Sequence, residues 1–187
     1  MTLIDPTAQT LESTRSTWTI DAAHTEVGFE VKHLMISKVR GRFGAVTGTI
    51  ELDAEDPTRS SVTAEIDVTS IDTRQEQRDA HLRSADFFDV ENFPSIGFRS
   101  SRVERVGDRY RVTGALTIRG VAREVVLDAT DEGRGRDPWG GERAAFSASL
   151  VIDRRDFGLT WNQALETGGV LVANDIRVTL DVQAVKA

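Results

Sequence analysis

Apolar and polar positions alternate strictly along this chain, in segment after segment. Val27, Phe29 and Val31 share one parity, with Glu30 and Lys32 on the other. Val46, Gly48, Ile50 and Leu52 alternate with Thr47, Thr49 and Glu51. The same period runs through Val62–Val68, Val112–Ile118, Val125–Ala129, Phe146–Ile152 and Ile176–Val182. A period of two sends successive side chains to opposite faces, so each segment predicts a strand with one dry and one wet face. With Trp18–Asp21 and Ser95–Ser101 the chain predicts about eight to ten strands. Turn residues at Asp53–Pro57, Val106–Asp108 and Asp131–Gly141 fit an antiparallel meander. Consecutive one-sided strands hide their dry faces by closing a barrel or stacking as a sandwich, and closure also removes exposed edges.

The inward set contains Gly48, Ala64, Gly114, Ala129 and Ala148. Any one of these fits ordinary close packing. Spread over five strands, they predict a central void, and a barrel of about eight strands can enclose a ligand.

The period changes once, between Ile71 and Arg83. Thr73 followed by Glu76 reads as a capping box, and Gln75 onward is rich in helix formers. Ser84 and Asp86 offer a second N-cap ahead of Phe87-Phe88-Asp89-Val90, and Pro94 ends the segment. An excursion of roughly 20 residues between two strands predicts a helical lid over one barrel mouth. Of eight Phe, four (Phe87, Phe88, Phe93 and Phe98) crowd into this stretch. They read as anchors of the lid, and also as the lining of an apolar cavity beneath it.

Composition narrows the functions. The chain has 187 residues, 39% of them hydrophobic and 28% charged, which suits one globular domain. It has no Cys, which excludes disulfides, thiolate catalysis and Cys-based metal sites. A net charge of −7 argues against a nucleic-acid surface. Residues 1–16 read as a flexible polar tail and 17–187 as the barrel domain. Asp5, Pro6, Gln9 and Glu12 interrupt every candidate signal run, and no segment is apolar enough for a transmembrane helix, so the expected compartment is the cytoplasm.

Candidate chemistry is sparse. The histidines are His24, His33 and His81, with Asp21, Glu26 and Asp79 near them in sequence, but at spacings that suit no zinc or iron site. No nucleophile elbow, phosphate loop or dinucleotide fingerprint is present, so neither cofactor nor catalysis is expected. Arg78 and Asp79 read either as cross-links from lid to rim or as contacts to the polar head of an amphiphile. Arg134–Arg136 and Arg154-Arg155 lie among aspartates and read as balanced surface charge. Asn162–Asn174, with Gly168-Gly169, reads as a long loop near the closing strand. Two other classes remain open: a barrel enzyme using a histidine on an apolar substrate, and a stress-associated protein-interaction module.

Several runs resemble one family. Trp18-Thr-Ile-Asp21, Ala23-His24-Thr25 and Val27-x-Phe29-x-Val31-x-His33 resemble the opening of YceI-like proteins. Arg40-Gly-x-Phe43, Thr47-Gly48 and Ile71-Asp-Thr73 continue the likeness. The most specific run is Arg78-Asp79-x-His81-Leu82-x-Ser84-x-Asp86-Phe87-Phe88-Asp89, closing at Phe93-Pro94. Gly114-x-Leu116-x-Ile118-x-Gly120 and Arg155-Asp156-Phe157-Gly158 complete it. The resemblance implies an all-β, extended eight-stranded antiparallel lipocalin-like barrel with a short helical lid insert. It implies an apolar tunnel for a long-chain isoprenoid or other amphiphilic lipid, and a homodimer. On that reading Val31, Val46, Ile66, Phe98, Leu116, Ile118, Phe146 and Val178 contact the tail. Phe87 and Phe88 gate access, and His33, Arg78 and His81 meet the head group.

Overall fold

A computed structural model describes residues 14–187. The strands are β1 (Arg15–Ile20), β2 (Glu26–His33), β3 (Ser37–Phe43), β4 (Val46–Asp53), β5 (Ser61–Asp67), β6 (Ile71–Asp72), β7 (Ser95–Val106), β8 (Arg109–Ile118), β9 (Val121–Arg136), β10 (Glu142–Asp153) and β11 (Val172–Lys186), with one α-helix, α1 (Glu76–Arg83), between β6 and β7. Most of the expected tail, residues 1–13, lies outside the described residues, while Arg15 and Ser16 already pair with Asp53 and Leu52.

Every pairing is antiparallel, and the sheet closes on itself through β11 and β1. The closed ring has eight strands: β1, β4, β5, β7, β8, β9, β10 and β11. Strand β11 pairs with β10 from Asp175 to Val185 on one side. On its other side it pairs with β2 through Val172–Asp181 and with β1 through Ala184–Lys186. Thus β1 and β2 lie end to end along one edge of β11, separated by the short helical turn Ala22–His24. Likewise β3 pairs with β2 while β4 pairs with β1, and β6 extends the line of β5. The β2–β3 hairpin therefore continues the barrel wall beyond the ring.

Strand β3 escapes the alternation reading because its only large inward residues are Val39 and Phe43, with Gly41 between them. Val68 turns out of the β5 line into a helical turn, Val68–Ser70, because the Asp67 carboxylate accepts the Thr69 N–H at 2.8 Å. The expected turn at Asp131–Gly141 shrinks to 137–141, since β9 runs on to Arg136. Here β9 also carries a bulge. Phe146 faces Asp131 while Ala145 faces Gly133, so Glu132 is extra and the alternation reverses beyond it.

The lid spans 73–94, and its helix starts differently from the capping-box reading. Gln75 is the N-cap, its side chain accepting the Arg78 N–H. Thr73 instead satisfies the buried carboxylate of Asp79, donating both its N–H and its hydroxyl. Arg78 completes the clasp with Nε on Thr73 Oγ1 and Nη2 on Thr73 O, both at 2.7 Å. Arg83 reaches back to Ile71 O at 2.9 Å. These bonds tie the helix to the barrel rim, the first of the two roles considered for Arg78 and Asp79.

Candidate functional site: an apolar cavity with two unlike ends

The barrel encloses a cavity of about 790 Å³. Val31, Val46, Ile66, Phe98, Leu116 and Ile118 line it, as do Phe146, Val178 and the lid residues Phe87 and Phe88. Its walls are unusual for a protein interior. Phe98, Leu116, Val125, Leu127, Phe146, Leu150, Val178 and Leu180 face inward, yet each is only half-buried. Close-packed cores leave few voids larger than a water molecule, so these side chains border space rather than one another.

The small inward residues split into two groups. Ala64, Ala129 and Ala148 do border the cavity. Gly48 and Gly114 do not make room for it. A Cβ on Gly114 would lie 2.6 Å from the Phe98 ring, and one on Gly48 would lie 2.8 Å from Ile20 Cδ1. The missing side chains let those neighbours lie against the sheet.

One end is sealed. Val46, Ile96, Ile118, Phe157 and Leu159 are buried there, and Phe87 is only 6% exposed. Phe87 packs on Trp161 with ring centroids 5.3 Å apart, and Phe88 meets Phe43 edge-on at 5.9 Å. Arg154 also lies at this end and contradicts the surface-charge reading, being only 5% exposed. Its guanidinium donates to the carbonyls of Leu159 (2.7 Å), Trp161 (2.8 Å), Ala173 (2.9 Å) and Val172 (3.3 Å). Burial pushes its pKa below the ordinary arginine value. The backbone of the segment after β10 wraps around this one cation, which holds Trp161 against the lid.

The opposite end is open and polar. Ser61, Asp131, Arg134, Arg136 and Lys186 line the cavity here and are exposed, with Tyr110 and Glu142 beside them. Arg134 is the second departure from the surface-charge reading. The bulge at Glu132 puts it on the inward parity, opposite Ala144, with Cζ 5.1 Å from the Phe146 centroid and 5.7 Å from that of Trp18. Gly133 and Gly135 within a strand pattern were the sequence signal for such an irregularity. The mouth charges are paired: Arg134 with Asp131 at 2.6 Å, and Lys186 with Glu142 at 2.9 Å. The Lys186 ammonium holds the Glu142 carboxyl below its ordinary pKa. Asp53 is held low chiefly by the Asp56 N–H, with Arg59 adding to it.

Three expected site residues stand off the cavity wall. Arg78 is spent in the clasp with Thr73. His81 is on the outer side of the lid, edge-on to Trp161 and Phe87, with Nε2 2.8 Å from Asp86 Oδ2. His33 ends β2 opposite Ser37 and Val172, beyond the ring. Of the polar residues that line the cavity, Arg134 and Arg136 come inward through the bulge and Arg154 through burial, whereas Asp131, Glu142 and Lys186 continue the inward parity of β9, β10 and β11 beyond the apolar runs that mark those strands.

A family profile described as the YceI-like domain matches residues 18–184. The chain belongs to the YceI-like family. Among curated YceI-like proteins, it is 41% identical over 140 residues to protein YceI of Salmonella newport, covering 75% of this chain and 73% of that one. A UPF0312 protein of Photorhabdus laumondii is 41% identical over 138 residues, covering 74% and 72%. Among solved structures, BcnA of Burkholderia cenocepacia superposes with a TM-score of 0.77 at 25% identity, covering 88% of this chain and 98% of that one. The YceI protein of Campylobacter jejuni gives 0.72 at 30%, covering 83% and 90%. A polyisoprenoid binding domain from Saccharophagus degradans shares the fold at 14% identity, with a TM-score of 0.66, covering 91% and 98%. Among the described residues of this YceI-like chain, no helix is long and apolar enough to cross a membrane.

Proposed function

We propose that the barrel binds one long isoprenoid-type chain and carries or stores it without chemical conversion. The observation behind this reading is the half-buried, inward-facing aliphatic wall around about 790 Å³ of space. Burying each methylene contributes about 0.8 kcal/mol, so a tail of about twenty carbons gains roughly 16 kcal/mol against association costs of about 4–15 kcal/mol. Such a ligand needs no catalytic group to be held. The Saccharophagus domain of the same fold is polyisoprenoid binding, and that ligand class suits this wall.

The two ends orient the ligand. Its hydrocarbon terminus lies under Phe87 and Phe88, and its head lies at the open mouth rather than beside His33, Arg78 or His81. The mouth cations are already paired with carboxylates, so a neutral polar head such as a quinone or amide fits better than an anion. Arg134 spends Nη1 on Asp131 and on Gly133 O, leaving Nε and Nη2 for the head-group oxygens. The test is solvent extraction and mass spectrometry of purified protein, wild type against Leu116→Trp. Wild type should yield a hydrocarbon-tailed lipid, and the variant at least about tenfold less, because an indole at Leu116 takes up space in the cavity. Equal lipid in both, or none in wild type, would sink the assignment.

A further inference from the structure

The β2–β3 hairpin ends in Leu34, Met35 and Ile36, three large apolar residues that are 38%, 54% and 88% exposed. Leu34 and Met35 both hold positive φ, 54° and 61°. That conformation is costly for bulky side chains and persists only where the surroundings impose it. Here the Leu34 N–H donates to Leu171 O at 2.9 Å and the Ile36 N–H to His33 O at 3.2 Å. The tip is a braced projection, and bracing it keeps its apolar residues in water.

Charge distinguishes this hairpin from the rest of the chain. Between Glu26 and Phe43 lie Lys32, Lys38, Arg40 and Arg42 against two glutamates, an excess of two positive charges in a chain of net −7. Lys32 and Lys38 face each other across the hairpin immediately behind the apolar tip, and Lys38 (2.7 Å) and Arg40 (3.0 Å) share the single carboxylate of Glu30, so the positive excess survives the pairing. Apolar residues at a tip with lysines one step back match the layered polarity of a bilayer interface, where the stems of lysines reach outward to anionic head groups. The hairpin also leads to the lid. Phe29 packs on Phe43 at 5.6 Å, and Phe43 on Phe88 at 5.9 Å. Leu171, which braces Leu34, belongs to the segment whose Trp161 packs on Phe87.

We infer that the Leu34–Ile36 tip docks the barrel on anionic bilayers and places the lid against the membrane for lipid exchange. The exchange step rests on the lipid-binding reading, whereas docking can be measured without it. The experiment is co-flotation with vesicles of phosphatidylcholine containing about 30% phosphatidylglycerol, beside vesicles of phosphatidylcholine alone. Wild type should float with the anionic vesicles and much less with the neutral ones. The double variant Met35→Ser/Ile36→Ser should bind at least about tenfold less. Lys32→Glu should bind several-fold less, and Trp139→Ser, whose indole is 87% exposed on the β9–β10 turn, should match wild type.

Unchanged thermal melting confirms that the variants are folded. Equal flotation of wild type and the double variant overturns docking, as does loss with Trp139→Ser alone. Docking is likewise overturned if wild type ignores both vesicles and sedimentation shows a dimer that the double variant dissolves, making the tip a self-interface. Lipid extracted from the same preparations separates the two ideas. Lipid-loaded protein that does not float sinks docking alone, while empty protein that floats sinks the cavity reading alone.

Discussion

The two ends of the barrel are made from the same strands, yet one is sealed by aromatic rings and the other is open and edged with ion pairs. At the lid end the hydrophobic effect and a single buried cation hold the structure. At the mouth, Arg134 lies over the rings of Trp18 and Phe146, and a ring of charged side chains meets water. A cavity with one apolar end and one polar end suits an amphiphile in one direction only. The contrast therefore specifies orientation, which volume alone does not.

The largest effect expected is at Arg154. Replacing it with Met would strand several buried carbonyls, among them Leu159 O and Trp161 O, each costing about 1–3 kcal/mol. The loss in urea unfolding should be roughly 3 kcal/mol or more, with amide exchange of residues 159–173 accelerated. Arg154→Lys should not restore it, because one ammonium cannot span four carbonyls. A loss below about 1 kcal/mol would show that the segment stands without the guanidinium.

Phe87→Ala comes next, at about 3 kcal/mol, since a buried ring is removed from contact with Trp161 and His81. The equivalent truncation on the open wall, Phe146→Ala, should cost less. Phe146 borders the cavity, so part of what it would lose is already absent. Equal costs for the two would remove the distinction between a packed end and an empty one.

Acid should act more strongly at the mouth. Asp21 is held low by Arg143 and then His24, Asp53 chiefly by the Asp56 N–H, and Asp137 chiefly by the Gly141 N–H. At the lid end the Arg74 N–H holds Asp72 low, and Arg155 lowers Asp153 from 3.8 to about 2, so that Asp153 gives up its contribution last. Carboxyls with depressed folded-state pKa values stabilise above their unfolded values and lose that contribution as pH falls through the folded ones. Stability should thus be flat down to about pH 4 and fall towards pH 2. Exchange should quicken first in the 53–61 loop and the β9–β10 turn. Lid amides opening first would reverse the comparison.

The fold was legible in the sequence because alternation is a local signal that survives tertiary packing. Where it is clean, as in Val112–Ile118 or Ile176–Val182, the inward face is the observed one. The wall residues of the cavity followed from the same signal. What failed to show were positions set by irregular backbone. Arg134 points inward only because one extra residue in β9 reverses its parity. Arg154 is buried because the irregular segment that follows it folds its carbonyls around the guanidinium. Both look like members of mixed charge runs when read along the chain. Arg78 and His81 were attractive for the opposite reason, as polar residues within the lid segment, but a clasp and an outward-facing ring account for them, while His33, named on the family resemblance, stands beyond the ring.

Arg134 provides the smallest effect on stability and the sharpest test of orientation. Its guanidinium lies over two rings at an exposed site, where cation–π contacts contribute about 0.5–1 kcal/mol, and its ion pair with Asp131 adds little in water. Arg134→Met should leave the urea midpoint almost unchanged. It keeps the apolar stem over Phe146 but removes the donors that meet the head group. Loss of the lipid to acceptor vesicles should then quicken several-fold, a change in dissociation rather than association. His81→Phe, at the lid, should leave that rate alone, because His81 stands outside the cavity. If the His81 variant released lipid faster and the Arg134 variant did not, the head would lie under the lid and the orientation would be reversed.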